Sequence, residues 1–197
     1  MKTIFYPLLF SFTVLIASCS TTHNEGEKNH ITQHQHETVI ESAKKKKPAS
    51  PKKQAMAIIG TNHIHIDYSS PSVRGRIIWG GLVAYNKVWS TGAHKATSIN
   101  FPQAVAINGI DIPAGKYGFF TIPEENIWTL ILNKNWDMHL ADDYIEADDI
   151  IRFEVTPKRQ DAIQEALIYK VESTSDTTGI ISVAWEYLQL SFEVTNN

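Results

Sequence analysis

Apolar and polar residues alternate along most of the chain beyond residue 55, with the period of two that marks a half-buried β-strand. The run AVAINGIDI places two short segments around Asn108-Gly109, a pair that suits a type I′ hairpin turn. IWTLILNK is an apolar run with the length of a strand buried on both faces. With about nine or ten such segments, the pattern predicts an all-β antiparallel β-sandwich, and a β-barrel is the alternative.

Helical periodicity is weak throughout the chain. Only RQDAIQEALIY, residues 159–169, is compatible with a single helical turn. Residues 55–197 have the length of one ordinary domain and show no repeat of solenoid length. We therefore expect a single β-sandwich domain over residues 55–197.

The first residues, MKTIFYPLLFSFTVLIASCS, carry one charge at Lys2 and then an apolar run from Ile4 to Ala17. The run is shorter than the roughly 20 apolar residues of a membrane span and is typical of a secretory signal. Small residues precede Cys19, the only cysteine, as in bacterial lipoproteins. We expect residues 1–18 to be a signal peptide and Cys19 to carry acyl groups such as palmitate. The protein would then be anchored in the cell envelope, with the outer membrane as the leading option.

Composition changes after the cysteine. Residues 19–54 are polar and lysine-rich, with a net charge of 7 − 4 = +3, and this composition predicts a disordered tether. Residues 55–197 have a net charge of 10 − 17 = −7. Such an acidic domain lacks the basic face of a nucleic-acid-binding protein, so we expect no nucleic-acid partner.

The most unusual stretch is PSVRGRIIWGGLVAYNKVWSTGAHKAT, residues 71–97, which we call the motif segment. If it is extended, Arg74 and Arg76 lie on one face about 7 Å apart and suit a carboxylate or phosphate. The alternative is that both arginines form structural ion pairs. The candidate ligand-binding residues of the segment are Arg74, Arg76, Trp79, Trp89, Thr91, His94 and Thr97.

Each of the other candidates also has a simpler interpretation. The tryptophans either stack on a ligand or pack in the core, and His94 is either a general base or a surface residue. In NHIHIDY, alternation puts His63, His65 and Asp67 on one face, which suits zinc or copper if a third ligand converges. The polar face of an ordinary strand explains the same three residues.

The motif segment, INGIDIPAGKYGFFTIP, WTLILNK and ISVAWE resemble, in this order, the domain-of-unknown-function family numbered 2911. That family occurs largely in secreted proteins and lipoproteins of Bacteroidota. The resemblance spans about residues 56–194 and implies a β-rich extracytoplasmic domain with no assigned activity. Where the family pattern usually has asparagine, this chain has His94, which weakens the idea of a shared catalytic base.

Three hypotheses follow from the sequence. The leading one is a lipid-anchored envelope protein that binds an anionic small molecule, a glycan or an envelope protein without catalysis. The second is a hydrolase that uses His94 or a metal held by His63 and His65. The third is a structural envelope component. No G-x-S-x-G, H-E-x-x-H, phosphate-binding loop or dinucleotide fingerprint is present, so no catalytic residue is assigned.

Overall fold

The computed structural model describes residues 49–197, which fall within one compact unit, Lys45–Asn197. The predicted signal peptide, Cys19 and nearly all of the predicted tether lie outside the described residues. In the described part, no helix has the length and apolar character needed to cross a membrane. One short 3-10 turn, Glu146–Asp148, interrupts a chain of strands. The strands are β1 Lys52–Ile59, β2 Asn62–Ser69, β3 Thr97–Phe101, β4 Val105–Ile107, β5 Ile110–Ile112, β6 Gly115–Ile122, β7 Trp128–Asn133, β8 Asp149–Val155, β9 Lys158–Ser173 and β10 Thr178–Asn196.

These strands form two sheets with antiparallel neighbours. The first has six strands in the order β1-β2-β3-β6-β7-β8, and the second has four in the order β5-β4-β10-β9. Their inner faces share one core; the rings of Phe119 on β6 and Phe192 on β10 stack across it at 5.8 Å. The predicted antiparallel sandwich is confirmed, and the barrel alternative is wrong because the two sheets do not close on one another.

Alternation along β2 sets the orientation of the first sheet. Ile64 and Ile66 are fully buried, whereas His63 and His65 point to the outer face. The hairpin between β4 and β5 turns at Asn108 and Gly109, whose φ angles of 51° and 76° are those of the predicted type I′ turn.

Two local predictions were wrong. β1 starts at Lys52, inside the segment predicted as tether. Residues 159–169 are not helical but belong to β9, which pairs with β10 and buries Leu167 and Tyr169 in the core. The chain ends in one long strand, β10. Its register with β9 shifts on either side of Glu186, which has a φ of 56°.

Part of the outer face of the six-stranded sheet is covered by the connection between β7 and β8, residues 134–148. Met138 from this connection joins Ala96, Phe120 and Ile131 in a second, small apolar cluster. The ring of Tyr144 packs on Phe120 at 5.3 Å. This cover does not reach the outer face over β1, β2 and the first residues of β6, around Lys116.

Candidate functional site

The motif segment is the long connection from β2 to β3. It contains isolated bridges rather than strands: Ser72 pairs with Ala166 of β9, and Trp89 pairs with Thr121 of β6. Because β9 and β6 belong to different sheets, the segment ties the two sheets together.

The arginines of the segment do not form the predicted pair on one face. Arg74 and Gly75 have φ angles of 51° and 67°, so the chain turns between the arginines instead of running extended. Arg74 Nη2 donates to Ala49 O at 2.9 Å, and Arg76 donates to Ser72 O at 2.6 Å and to Val73 O at 3.1 Å. Both guanidiniums therefore fix the backbone around the turn. Their role in ligand binding stays a prediction.

Trp79 and Trp89 lie in an aromatic cluster with Trp128 and Trp185, so four of the five tryptophans of the chain meet between the sheets. Ring centroids are 4.7 Å apart for Trp79 and Trp128 and 5.8 Å apart for Trp89 and Trp185. Trp79 Nε1 donates to Glu186 Oε2 at 3.2 Å. Edge-to-face and offset rings of this kind stabilise a core, which accounts for both tryptophans by packing.

Thr91 is the centre of a buried hydrogen-bond network. It is fully buried, and its carbonyl accepts from Tyr169 Oη at 2.8 Å and from Thr97 Oγ1 at 3.0 Å. Its hydroxyl donates to Thr121 Oγ1 at 3.1 Å. Thr97 is also fully buried, so neither threonine presents its hydroxyl to a dissolved ligand.

His94 is exposed and has a φ of 65°, in the left-handed region. Asparagine adopts this conformation more readily than most residues, and histidine is also enriched there. The backbone conformation therefore explains a histidine at this position without a catalytic role. The His94 carbonyl accepts from Leu140 N at 2.7 Å and so fixes the connection that covers the sheet.

The structure brings together two of the three predicted metal ligands. His65 Nε2 lies 3.2 Å from Asp67 Oδ1, although the two do not form a hydrogen bond. His63 projects from the same face nearer the β1–β2 turn. Among residues 49–197, no group of three histidine, cysteine, aspartate or glutamate side chains is placed to hold a metal ion. Zinc or copper binding stays a prediction.

A cleft of about 450 Å³ opens on the uncovered outer face of the six-stranded sheet. Pockets for small molecules run from about 300 to 1,000 Å³, so the cleft is large enough for a ligand. Its floor is made by outward-facing neighbours on β1, β2 and β3, where Gln54 opposes Asp67 and Asp67 opposes Ser98. We call it the lysine cleft; the charged and aromatic residues that line it are Lys52, Lys53, Asp67, Tyr68, Lys95, Lys116, Trp136 and Asp137.

Two ion pairs shape the lysine cleft. Lys116 Nζ lies 3.2 Å from Asp67 Oδ2 and 4.3 Å from the ring centroid of Trp136, a cation–π distance. Burial raises the pKa of Asp67, but hydrogen bonds from Gln54 and Lys116 outweigh it, so the pKa is lowered overall. On the other wall, a hydrogen bond from Lys95 lowers the pKa of Asp137. Both carboxylates are therefore ionised at neutral pH.

The lysine cleft is positive on an otherwise acidic domain. Residues 49–197 hold twelve Lys and Arg against seventeen Asp and Glu, a net charge of 12 − 17 = −5. The cleft lining holds four lysines and two aspartates, 4 − 2 = +2. Lys52 and Lys53 are exposed, and neither pairs with a carboxylate within the described residues. The cleft thus combines two unneutralised cations with an aromatic wall.

The cleft was not predicted from the sequence. Lys52 and Lys53 were expected in the tether, and Trp136 was expected in no site. The one sequence feature that pointed to the cleft was the alternation of apolar and polar residues, which places Asp67 and Lys116 on the outer faces of their strands. Joining them to Lys95 and Trp136 requires the order of the strands in the sheet.

A family model described as "Protein of unknown function (DUF2911)" matches residues 50–194. The match includes the whole motif segment and every residue named in the lysine cleft. No curated protein and no solved structure matches the chain. Because the family model covers well over half of the chain, the protein belongs to the DUF2911 family of proteins of unknown function.

Proposed function

We propose that this protein is a lipid-anchored component of the bacterial cell envelope whose β-sandwich binds a ligand without catalysis, in the lysine cleft. The observation that carries the proposal is the cleft itself, with Trp136 and four lysines around about 450 Å³. Cys19, preceded by small residues after an apolar run, supports the anchor.

The lining of the cleft indicates the class of ligand. Lys52 shares the outer face of β1 with Gln54, and its exposed ammonium group attracts an anionic group. Lys53, the next residue, borders the same wall. Trp136 is 38% exposed and offers apolar ring surface on the opposite wall. An anionic ligand with an apolar face fits both walls, and an acidic sugar or a short acidic glycan has this chemistry.

The hydrolase hypothesis receives no support from the described residues. His94 occupies a position set by backbone conformation, and His63 and His65 have no third ligand within residues 49–197. The structural-component hypothesis is favoured by the buried network at Thr91, but that network does not account for the cleft.

Thermal unfolding in the presence of ligands tests the proposal. The panel contains uronic acids, their oligomers, sugar phosphates and inorganic phosphate, each beside a neutral sugar of the same size. A ligand at a hundred times its dissociation constant adds about 2.7 kcal/mol, which raises Tm by several degrees. We expect a rise with an acidic sugar that is lost in Trp136→Ala and in the double variant Lys52→Gln/Lys53→Gln.

Lys158→Gln/Lys170→Gln is the matched control, because these exposed lysines lie on β9 in the other sheet. A rise that survives both cleft variants, or no rise with any anionic ligand, would contradict the cleft as the binding site. The anchor is tested separately by fatty-acid labelling in cells, where Cys19→Ser should remove the label.

A further inference from the structure

We propose that residues 77–83, within the motif segment, form an apolar loop that rests on the surface of a lipid bilayer. The proposal adds a direct contact between the domain and the membrane to the predicted acyl anchor. The proposal relies on the predicted anchor only for the orientation of the domain at the membrane. The experiment that tests it uses a protein without acyl groups.

The apolar loop presents two large aliphatic side chains to solvent. Ile77 is 79% exposed and Leu82 is 50% exposed. Leu82 N donates to Ile77 O at 3.0 Å, so the two residues face one another across the loop. Exposed aliphatic residues whose backbones lie this close mark an interaction surface more often than scattered single ones do.

The apolar loop is fixed before it meets a partner. Val83 N donates to Ile78 O at 2.9 Å, and the side chains of Ile78 and Val83 are buried in the main core. Gly80 turns the chain with a φ of 74° and packs against the ring of Tyr85. The loop therefore does not have to become ordered on binding. An ordering step would lower its affinity for the membrane.

Charge points to a lipid surface rather than to another apolar partner. No residue from Ile77 to Asn86 is charged, and Arg74, Arg76 and Lys87 flank this stretch. Neither arginine forms an ion pair within residues 49–197. An apolar stretch between cations suits the interface of a membrane that contains anionic lipids.

Acidic groups lie on both sides of the apolar loop. On the side of the arginines, Glu165 Oε1 accepts from Arg74 N at 2.9 Å. Glu124 and Glu125 share a hollow with Tyr85 and Asn86, and Glu186 accepts a hydrogen bond from Trp79. Around Arg74 and Arg76, two guanidiniums stand beside the one carboxylate of Glu165, a local charge of 2 − 1 = +1, so this is the side that we expect to face anionic lipid.

The chain enters the domain beside the same loop. Arg74 Nη2 donates to the carbonyl of Ala49, and Ser70 N donates to Pro51 O at 2.9 Å. The predicted anchor, Cys19, lies 30 residues before Ala49, at most about 100 Å of extended chain. The end of the domain that this chain can hold closest to the membrane is therefore the end that carries Ile77 and Leu82.

The first experiment measures binding to vesicles of equal parts phosphatidylglycerol and phosphatidylethanolamine. The protein lacks its first 19 residues, so it has no acyl group but retains the whole compact unit. We expect co-sedimentation that falls at least threefold in Ile77→Ser/Leu82→Ser. It should be unchanged in Ile58→Ser/Ile110→Ser, which alters two residues of matched exposure, 62% and 50%, elsewhere on the domain.

A fluorescent label gives a second measurement that does not depend on affinity loss. Cys19 is the only cysteine, so Leu82→Cys or Ile110→Cys in the shortened protein supplies a single thiol. A polarity-sensitive label at 82 should shift to shorter wavelength on vesicles, and one at 110 should not. Equal shifts at both positions would overturn the proposal. It would also be overturned if the label at 82 showed no shift and both double variants bound vesicles as well as the wild type.

These outcomes are separate from those of the proposed function. If Cys19 carries no fatty acid in cells, the predicted anchor is wrong, but the result with vesicles still holds. A failure of ligand binding in the lysine cleft concerns different residues altogether.

Discussion

Thr91 adopts a φ of 48°, a conformation that a β-branched residue seldom accepts. It is held there because its carbonyl and its hydroxyl are both hydrogen-bonded inside the core. Backbone strain of this kind costs about 1–3 kcal/mol and persists only where the surroundings impose it. In this protein the surroundings are the contacts between the two sheets, so the strain is part of a structural junction.

The first residue-scale prediction concerns Tyr169. In Tyr169→Phe the bond to the Thr91 carbonyl is lost while the bond from Thr97 remains, so we expect a loss of about 1 kcal/mol at pH 7. Chemical unfolding measures it. Burial raises the pKa of Tyr169 well above its ordinary value. The contribution of the Tyr169 hydroxyl to the free energy of unfolding is therefore complete below about pH 10 and is lost as the pH rises further.

Phenylalanine has no such group to titrate. The difference in stability between the wild type and Tyr169→Phe should therefore shrink above about pH 10. A difference that is constant from pH 7 to pH 11 would show that folding does not raise the pKa of this hydroxyl.

The second residue-scale prediction concerns His94. His94→Asn should keep the stability of the wild type, because asparagine accepts the left-handed conformation. His94→Val should lose about 1–2 kcal/mol, or several degrees in Tm, because a β-branched residue resists it. If asparagine were as harmful as valine, the imidazole itself would be required.

At the scale of elements, strands with local signals were predictable and the motif segment was not. The turn at Asn108 and Gly109 and the buried run of β7 are encoded by neighbouring residues, and both were found. The motif segment has no period because its residues bond outward, to β6 and β9, rather than along a strand. Its unusual composition indicated an important place in the fold but not which contacts it makes.

The packing of β10 against β1 gives a prediction at this scale. Gly179 is buried, and a β-carbon there would overlap Cδ1 of Ile59 and lie 2.9 Å from Glu172 O. Gly179→Ala should therefore cost about 1–3 kcal/mol by overpacking. Adding Ile59→Val removes Cδ1, so the double variant should be more stable than the sum of the two single losses. Urea unfolding of the four proteins measures this coupling, and strict additivity would mean that the two strands adjust independently.

For the whole molecule, the placement of charge decides how ligand binding responds to salt. The lysine cleft has a net charge of +2 on a described chain of net charge −5. An anionic sugar is attracted over a distance of about 10 Å at 0.1 M salt and about 3 Å at 1 M. Calorimetry should therefore show its affinity falling several-fold from 50 mM to 500 mM NaCl.

A neutral sugar of the same size serves as the control, and its affinity should barely change. An anionic ligand whose affinity is insensitive to salt would mean that the lysines do not recognise its charge.

The lysine cleft also marks the limit of what the sequence could predict for the site. Its residues come from β1, β2, β3, β6 and two connections, and they meet only through the register of four neighbouring strands. Alternation shows that Asp67 and Lys116 point outward, but it does not show that they face each other. A site assembled across a sheet is set by topology, which no short stretch of sequence contains.

The last strand has a consequence for when the domain can form. Asn196 on β10 bonds to Asn62 at 3.2 Å, across 134 residues of sequence, and β10 pairs with both β4 and β9. Without β10 the inner face of the six-stranded sheet has little to pack against. Folding must therefore wait until this strand has been synthesised, and such non-local pairing proceeds in about milliseconds to seconds. A chain that stays open for so long suits passage through a narrow export channel before it folds, as its first residues lead us to expect.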